Sequence, residues 1–435
     1  IREGIQVIYQ DLSLFPRLTV AENISLNQII EKGKKIISWK EIKKIAKMEL
    51  SKIHVNLDID ELVENLSMAN KQIVAIVRAL TQDTKLIIMD EPTASLTKNE
   101  IDSLFLIIRS LKKKGISTLF ISHKISEILE ISERITILRD GKKVGEYATD
   151  ELDADTLVFH MTGKKIDKTP FEYNEEKHNK EKVLLEIRNL TKKGNYENIN
   201  LTLRKGEILG LTGLLGSGRT EVALSVFGLN KPDSGKILIN EEIVKIKSPK
   251  DAVNLGISYL PEDRYSQGLF LHQSIGDNII VTIIKEILNK LGFIDNIKKS
   301  KIIKKWSEKL KIRTPSLTDN VETLSGGNQQ RVVLAKWLAT NPKIFILDGP
   351  TIAIDIASKA DIHKMIIKLA NQDIGIIMIS DEISEVFLNC NRIAIMRDGK
   401  IVDLVDTKIT TEDEIFKIVN GKTKKKSYPE YKYYS

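Results

Sequence analysis

Short apolar runs that close on a polar residue, separated by amphipathic stretches, set the rhythm of this chain. Lys85–Met89 (KLIIM), Thr118–Ser122 (TLFIS) and Ile374–Ile379 (IGIIMI) are too short for helices and read as buried strands. The stretch from Leu324 to Asp355 opens on a Gly-rich turn, LSGGNQQ, continues as an amphipathic helix, and reaches an apolar strand closed by Asp348. VLLEIRNLTKK, from Val183, alternates like a strand. GEILGLTGLLGSGRTEVALSVFG then gives a buried strand (Ile208–Thr212), a Gly-rich loop and a helix (Thr220–Phe227). GISYLPED adds a strand and leads into a helical stretch from about Gln273 to Lys311. Strands and helices in this alternation predict an α/β fold with a parallel core.

The same run of elements occurs twice. LSMANKQ (Leu66) and LSGGNQQ (Leu324), IIMDEPT (Asp90) and IFILDGPT (Asp348), and His123 and Asp381 each lie 258 residues apart. Gly141 with Gly399, and Gly163 with Gly421, keep the same offset. A common register over this many landmarks marks a tandem duplication. The copies are assigned to residues 1–163 and 183–421, joined by a charged, apolar-poor linker (164–182) and followed by a basic, tyrosine-rich tail (422–435). Asp11–Ser67 and Asp263–Ser325 read as a helical subdomain in each copy. Ile1 falls at the equivalent of the GISYLPED strand, and the chain begins without Met. The counterpart of the Gly213 loop therefore projects ~40–45 residues before Ile1, and a truncated start is expected.

Composition narrows the class. A length of 435 residues exceeds one ordinary domain, and 42% hydrophobic with 29% charged residues suits a globular protein. No apolar run approaches the ~18 residues needed to span a bilayer. Cys390 stands alone, which excludes a disulfide framework and fits a reducing cytoplasm. The net charge of +8 admits nucleic acid or an anionic membrane as partner. The basic residues are mostly lysines spread over helix faces and gathered in Lys422–Lys426, which reads as solvated surface, so nucleic acid is not expected.

GLLGSGRT, between a buried strand and a helix, has the context of a phosphate loop. Gly213, Gly216 and Gly218 let backbone N–H groups of the loop, including those around Ser217, converge on phosphate oxygens, and the helix N-terminus adds partial positive charge. Arg219 carries the charge and Thr220 is placed to ligate Mg²⁺. Asp90 and Asp348 end apolar strands, where a carboxylate can hold Mg²⁺ through water; the plainer role there is a helix cap. Ser325, Gly326, Gly327 and Gln329 open a helix whose N-terminus suits a γ-phosphate. LSMANKQ keeps Ser67 but places Met68 and Ala69 where the glycines stand.

LSGGNQQ followed by ILD-x-PT resembles the signature and Walker B segments of ATP-binding cassette (ABC) proteins. The tandem organisation, GRT, PEDR, LSGGNQQ-x-VVLAKWL and Ala94–Thr97 are similar to the fused double-cassette ATPases of ribose/galactose/xylose importers. The resemblance implies two P-loop NTPase domains, each a RecA-like core with a helical subdomain, binding ATP and Mg²⁺. It implies Gln10 as the glutamine that contacts Mg²⁺ and the membrane partner, Glu91 as the residue that polarises water, and His123 as the switch that senses the γ-phosphate. The second copy has Glu262, Gly349 and Asp381 in these places. In the family each ATP lies between one copy's Walker motifs and the other's signature. Gln10, Asp90, Glu91 and His123 would thus work with LSGGNQQ, and GLLGSGRT, Asp348, Gly349 and Asp381 with LSMANKQ. One hydrolytic site and one that binds without turnover are expected.

The resemblance further implies integral-membrane sugar permease subunits, an extracytoplasmic solute-binding protein, and a peripheral location on the cytoplasmic face of the membrane. Lacking the first phosphate loop, the chain as given is expected not to hydrolyse ATP. The alternatives are an importer ATPase for nucleosides or other small solutes, a soluble tandem ABC protein acting on ribosomes or DNA, and an inactive truncated product.

Overall fold

A computed structural model describes residues 3–31, 38–53, 55–93, 96–139, 141–163 and 183–421. The linker, the tail with Lys422–Lys426, and Ala94 lie outside them. The chain divides into two compact units, Ile1–Ile166 and Asp167–Ser435.

In the first unit β1 (Ile5–Ile8), β2 (Leu86–Asp90) and β3 (Ser117–Ile121) form a parallel sheet in that order. β4 (Arg134–Arg139) and β5 (Lys142–Ala148) form an antiparallel hairpin. Helices Val20–Glu31, Trp39–Lys52 and Met68–Leu80 pack on one face of the sheet, around Ile8, Ile24, Ile87, Met89 and Phe105. The other face is open: Leu119 and Ile121 of β3 are 51% and 44% exposed.

The second unit holds an antiparallel sheet made of β6 (Val183–Lys192), β7 (Tyr196–Arg204), β9 (Ser234–Ile239) and β10 (Glu242–Val244). Its main sheet contains β8 (Ile208–Gly213), β11 (Ile257–Leu260), β12 (Ile344–Asp348), β13 (Gly375–Ile379), β14 (Arg392–Arg397) and β15 (Lys400–Asp406), in the order β11-β12-β13-β8-β14-β15. All pairs are parallel except β14 with β15. Phe345 and Leu347 of β12 face the helical side, and Ile344 and Ile346 face the antiparallel sheet. Cover on both faces is why these strands read as unbroken apolar runs. In β12 every residue is buried, whereas in β2 buried and half-buried positions alternate.

The repeat is visible element by element. Helix Met68–Leu80 and helix Gly326–Leu338 have both ends 258 residues apart, as do β2 and β12, β3 and β13, and β4 and β14. Even the bulges, at Ile137/Leu138 and Ile395/Met396, keep the register. The stretch from Gln273 to Lys311 departs from the single helical reading. It breaks into Ile275–Ile280, a 3₁₀ turn Val281–Ile287 and Asn296–Lys309. Gly292, at φ 82, closes a turn onto the Asn289 carbonyl at 3.0 Å, so a continuous helix is interrupted there.

Candidate functional site

Parallel strands bring their C-terminal ends to one edge, and in each unit the candidate residues stand on that edge. In the first unit Ile8 pairs with Met89 and Asp90 with Ile121, so Gln10, Asp90, Glu91 and His123 all follow directly from neighbouring strands. Tyr9, Gln10, Asp11, Ser13 and Asp90 line one cleft. The amide of Glu91 donates to the Ile121 carbonyl at 2.9 Å and holds the residue at φ 45, a left-handed conformation. That turn aims its carboxylate at His123, whose Nδ1 lies 2.9 Å from Glu91 Oε1. The hydrogen bond to His123 holds the Glu91 carboxyl below its usual range, and the same bond raises the His123 imidazole. Two residues predicted to act together are in direct contact.

The second unit repeats the backbone without the side chains. Gly349 N donates to the Ile379 carbonyl at 2.9 Å, and Gly349 sits at φ 55. No carboxylate can be presented from there, and Asp381 replaces the histidine. Asp381 is nevertheless not simply a repulsive charge. The half-buried Arg219 guanidinium is lowered in pKa by desolvation, and the charges of Asp381, Asp348, Glu262 and Glu221 oppose that shift.

The loop after β8 has the form of a phosphate cradle. Gly216 and Gly218 take φ 77 and 94, and a β-carbon at Gly213 would lie 2.2 Å from the Met396 carbonyl oxygen. Among the described residues, Ser217 Oγ and Arg219 Nη1 are buried without a hydrogen-bond partner. Orphaned donors around a Gly-rich loop fit an anion, because leaving them unpaired costs about 1–3 kcal/mol each. Asp348 is buried; it accepts from Tyr259 Oη at 3.0 Å and is hydrogen-bonded by Thr220. Burial raises its carboxyl to about 6, against the pull of Thr220 and Tyr259. Thr220 and Asp348 thus meet where a divalent cation beside phosphate would need them.

The two signature turns differ in how the serine is used. Ser67 Oγ accepts from the Asn70 amide at 3.3 Å and so caps its helix. Ser325 makes no such cap and receives only Asn328 Nδ2, at 3.1 Å. Gln329, predicted among the phosphate contacts, has its side chain enclosed. It is 3% exposed, and its amide donates to the Val321 carbonyl at 3.4 Å. Residues 329–336 of the helix are all buried, so this side chain is enclosed by its neighbours.

The structure adds a clamp that the motifs did not announce. Glu127 accepts from Thr93 Oγ1 at 2.5 Å and lies 3.5 Å from Ser122 Oγ, tying the turn after Glu91 to the turn carrying His123. Glu385 binds Thr351 and Ser380 in the same way and also receives His363 Nε2 at 2.6 Å. Burial pushes the Glu385 carboxyl up, but His363, Lys359 and Ser380 outweigh it and hold it at about 2. Thr93 with Thr351, Ser122 with Ser380 and Glu127 with Glu385 share the repeat offset, which is the signal that could have found them.

A parallel sheet with a glycine-rich phosphate cradle after one strand and an acid at the end of another, two places away on the same edge, defines a P-loop nucleotide-binding protein. The ABC transporter pattern matches residues 1–94 and 196–352, and the chain belongs to that family. It is 41% identical, over 96% of its length and 84% of the relative's, to a "Ribose import ATP-binding protein RbsA" of Caldanaerobacter subterraneus subsp. tengcongensis. A protein of that same name from Clostridium perfringens (strain SM101 / Type A) is 40% identical over 96% of this chain and 83% of its own. A "Putative ribose/galactose/methyl galactoside import ATP-binding protein 1" of Agrobacterium fabrum is 39% identical over 96% and 82%.

Proposed function

We propose that the chain is the ATP-binding subunit of an importer for a monosaccharide of the ribose/galactose kind. It would act on separate integral-membrane permease subunits, supplied by an extracytoplasmic solute-binding protein, from a peripheral position on the cytoplasmic face. The named relatives support the solute class, and no helix among the described residues is long and apolar enough to cross a membrane.

ATP is the substrate. Gly213, Gly216, Ser217, Gly218, Arg219 and Thr220 hold phosphates in the second copy, and Ser325, Gly326, Gly327 and Ser67 belong to the signature turns. Gln10 and Asp90 in one copy, and Thr220 and Asp348 in the other, would hold Mg²⁺, which when bound offsets charge on the phosphoryl oxygens. Glu91 orients and polarises the attacking water, and His123 fixes the Glu91 carboxylate and reads the γ-phosphate. The Gly349–Asp381 set binds nucleotide without turning it over.

One observation carries this division: the Glu91–His123 contact at 2.9 Å, against Gly349 on the same left-handed backbone. In a form of the chain that carries a phosphate loop ahead of the first copy, Glu91→Gln, expressed in cells with the permease, is expected to abolish sugar uptake and leave ATP bound. Sugar uptake at the native rate in that variant would remove the single-hydrolytic-site reading.

A further inference from the structure

Arg264, in the loop that follows β11, makes contacts that neither phosphate binding nor Mg²⁺ ligation accounts for. Asp263 shapes the loop: its carboxylate accepts from the amides of Tyr265 and Ser266 at 2.9 and 3.2 Å, and from Ser266 Oγ at 2.5 Å. Arg264 is thereby turned inward and is 5% exposed. Its Nη1 donates to the Ile352 carbonyl at 2.8 Å and its Nη2 to the Ala353 carbonyl at 3.0 Å. Nε reaches Gln329 Oε1 at 3.4 Å. One side chain therefore joins the Glu262 loop, the turn after Asp348 and the helix that LSGGNQQ opens. Ala353 sits at φ 53, a strained place for a non-glycine residue, so that turn needs outside support. A planar guanidinium matches two successive carbonyls, which a lysine ammonium does not.

Gly326 lies directly against this fork. A β-carbon there would come 2.9 Å from Arg264 Nη2 and 3.1 Å from the Ala353 carbonyl oxygen. The first copy provides a natural comparison. Leu12, counted from the paired ends of β1 and β11, stands in the place of Arg264, and Met68 in that of Gly326. Leu12 is buried and Met68 exposed. There the loop is tied to the helix by Arg78, which donates to the Ser13 and Leu12 carbonyls at 2.8 and 3.0 Å; Lys336, at the same register in the second copy, donates to the Gly268 carbonyl. Arginine and glycine are present together in one copy and absent together in the other.

We infer that Arg264 is a positioning residue that locks the Glu262 loop to the turn after Asp348 and to the start of the LSGGNQQ helix. On the same inference, Gly326 is a glycine because the guanidinium occupies the space its β-carbon would need, whatever it also does for phosphate. Movement of the Glu262 loop then reaches Ser325 and the Asp348 turn through one side chain.

The test is a double-mutant cycle in melting temperature on the whole chain, with Gly326→Ala, Arg264→Leu and the pair. Gly326→Ala is expected to lower Tm in the native background and to cost less than half as much beside Arg264→Leu; additive shifts overturn the inference. Should Arg264→Leu fail to fold, amide exchange of Gly326→Ala decides. Residues 262–268 and 350–355 should exchange faster together while β14 is unchanged, and unaltered exchange in both loops overturns it. A kinetic arm rests on the proposed function and uses a form of the chain that carries a phosphate loop ahead of the first copy. With MgATP, Arg264→Lys should lower kcat about tenfold with KM within twofold, and a native kcat refutes the coupling role. Absence of hydrolysis by that form before mutation counts against the proposed function alone, because the melting cycle does not involve ATP.

Discussion

Gly349→Glu restores the missing acid, and the backbone predicts what that costs. Gly349 is at φ 55, and a β-carbon there would lie 2.3 Å from Ile352 Cδ1 and 3.3 Å from Glu262 Cγ. A left-handed non-glycine residue costs about 1–2 kcal/mol, and moving Ile352 off its rotamer adds about 0.5–1.5 kcal/mol. The total, about 1.5–3.5 kcal/mol, corresponds to a Tm loss of roughly 5–10 °C for a unit of this size. The first copy accommodates Glu91 at φ 45 where the sequence has Ala94 in place of Ile352. Calorimetry of metal-free protein reads the loss, and Ile352→Ala beside Gly349→Glu should recover the rotamer part. Hydrolysis should rise little, since Asp381 gives the new carboxylate no histidine to bond. A variant that melts at or above the native temperature would refute both the strain and the steric contact.

Three further outcomes follow from the same geometry. Glu91 is held below and His123 above its ordinary pKa, so their pair contributes stability above about pH 4.5 and loses it as pH rises through the raised imidazole value. Both side chains are 31% exposed, which limits the effect to ~0.5–1 kcal/mol; Glu91→Gln should lower Tm near pH 6 and not at pH 9, and should return the His123 proton-resonance titration toward its usual midpoint. Asp348, raised to about 6 from 3.8, opposes folding increasingly between those pH values, by roughly 3 kcal/mol once ionised. Asp348→Asn should therefore raise Tm in EDTA at pH 8 but not at pH 4, and should remove the stabilisation that MgATP gives over ATP without metal. Finally, Ser67→Ala should cost the first unit about 0.5–2 kcal/mol in denaturant titration, while Ser325→Ala, which removes no cap, should leave stability near native.

Much of the second unit was legible because its strands are covered on both faces. IFIL before Asp348 and IGIIMI before Ser380 have no polar interruption, and both proved to be buried strands. The repeat offset did more than propensity, since it transferred both ends of β2 to β5, and of helix Met68–Leu80, to their counterparts in the second copy. Side-chain direction was less legible. Gln329 sits in a motif, yet its helix is buried on nearly every side, and that enclosure depends on packing that the motif letters do not carry. Glu127 and Glu385 were missed for a related reason: a lone acid in a short helix looks like surface until the threonine and serine that bind it are known. The turn at Gly292 was hidden within an apolar-periodic stretch that continues on both sides.

The clamp formed by Glu127 and Glu385 bears on how such a chain can change over time. It is built from interior groups that recur in both copies, whereas Glu91, His123, Gly349 and Asp381 project from turns that the clamp only holds in place. The frame and its reactive groups are therefore separable. A copy can exchange its acid for glycine and its histidine for aspartate, one substitution at a time, without passing through an unfolded intermediate. Shape is inherited by one set of residues and turnover by another, and selection can act on each alone.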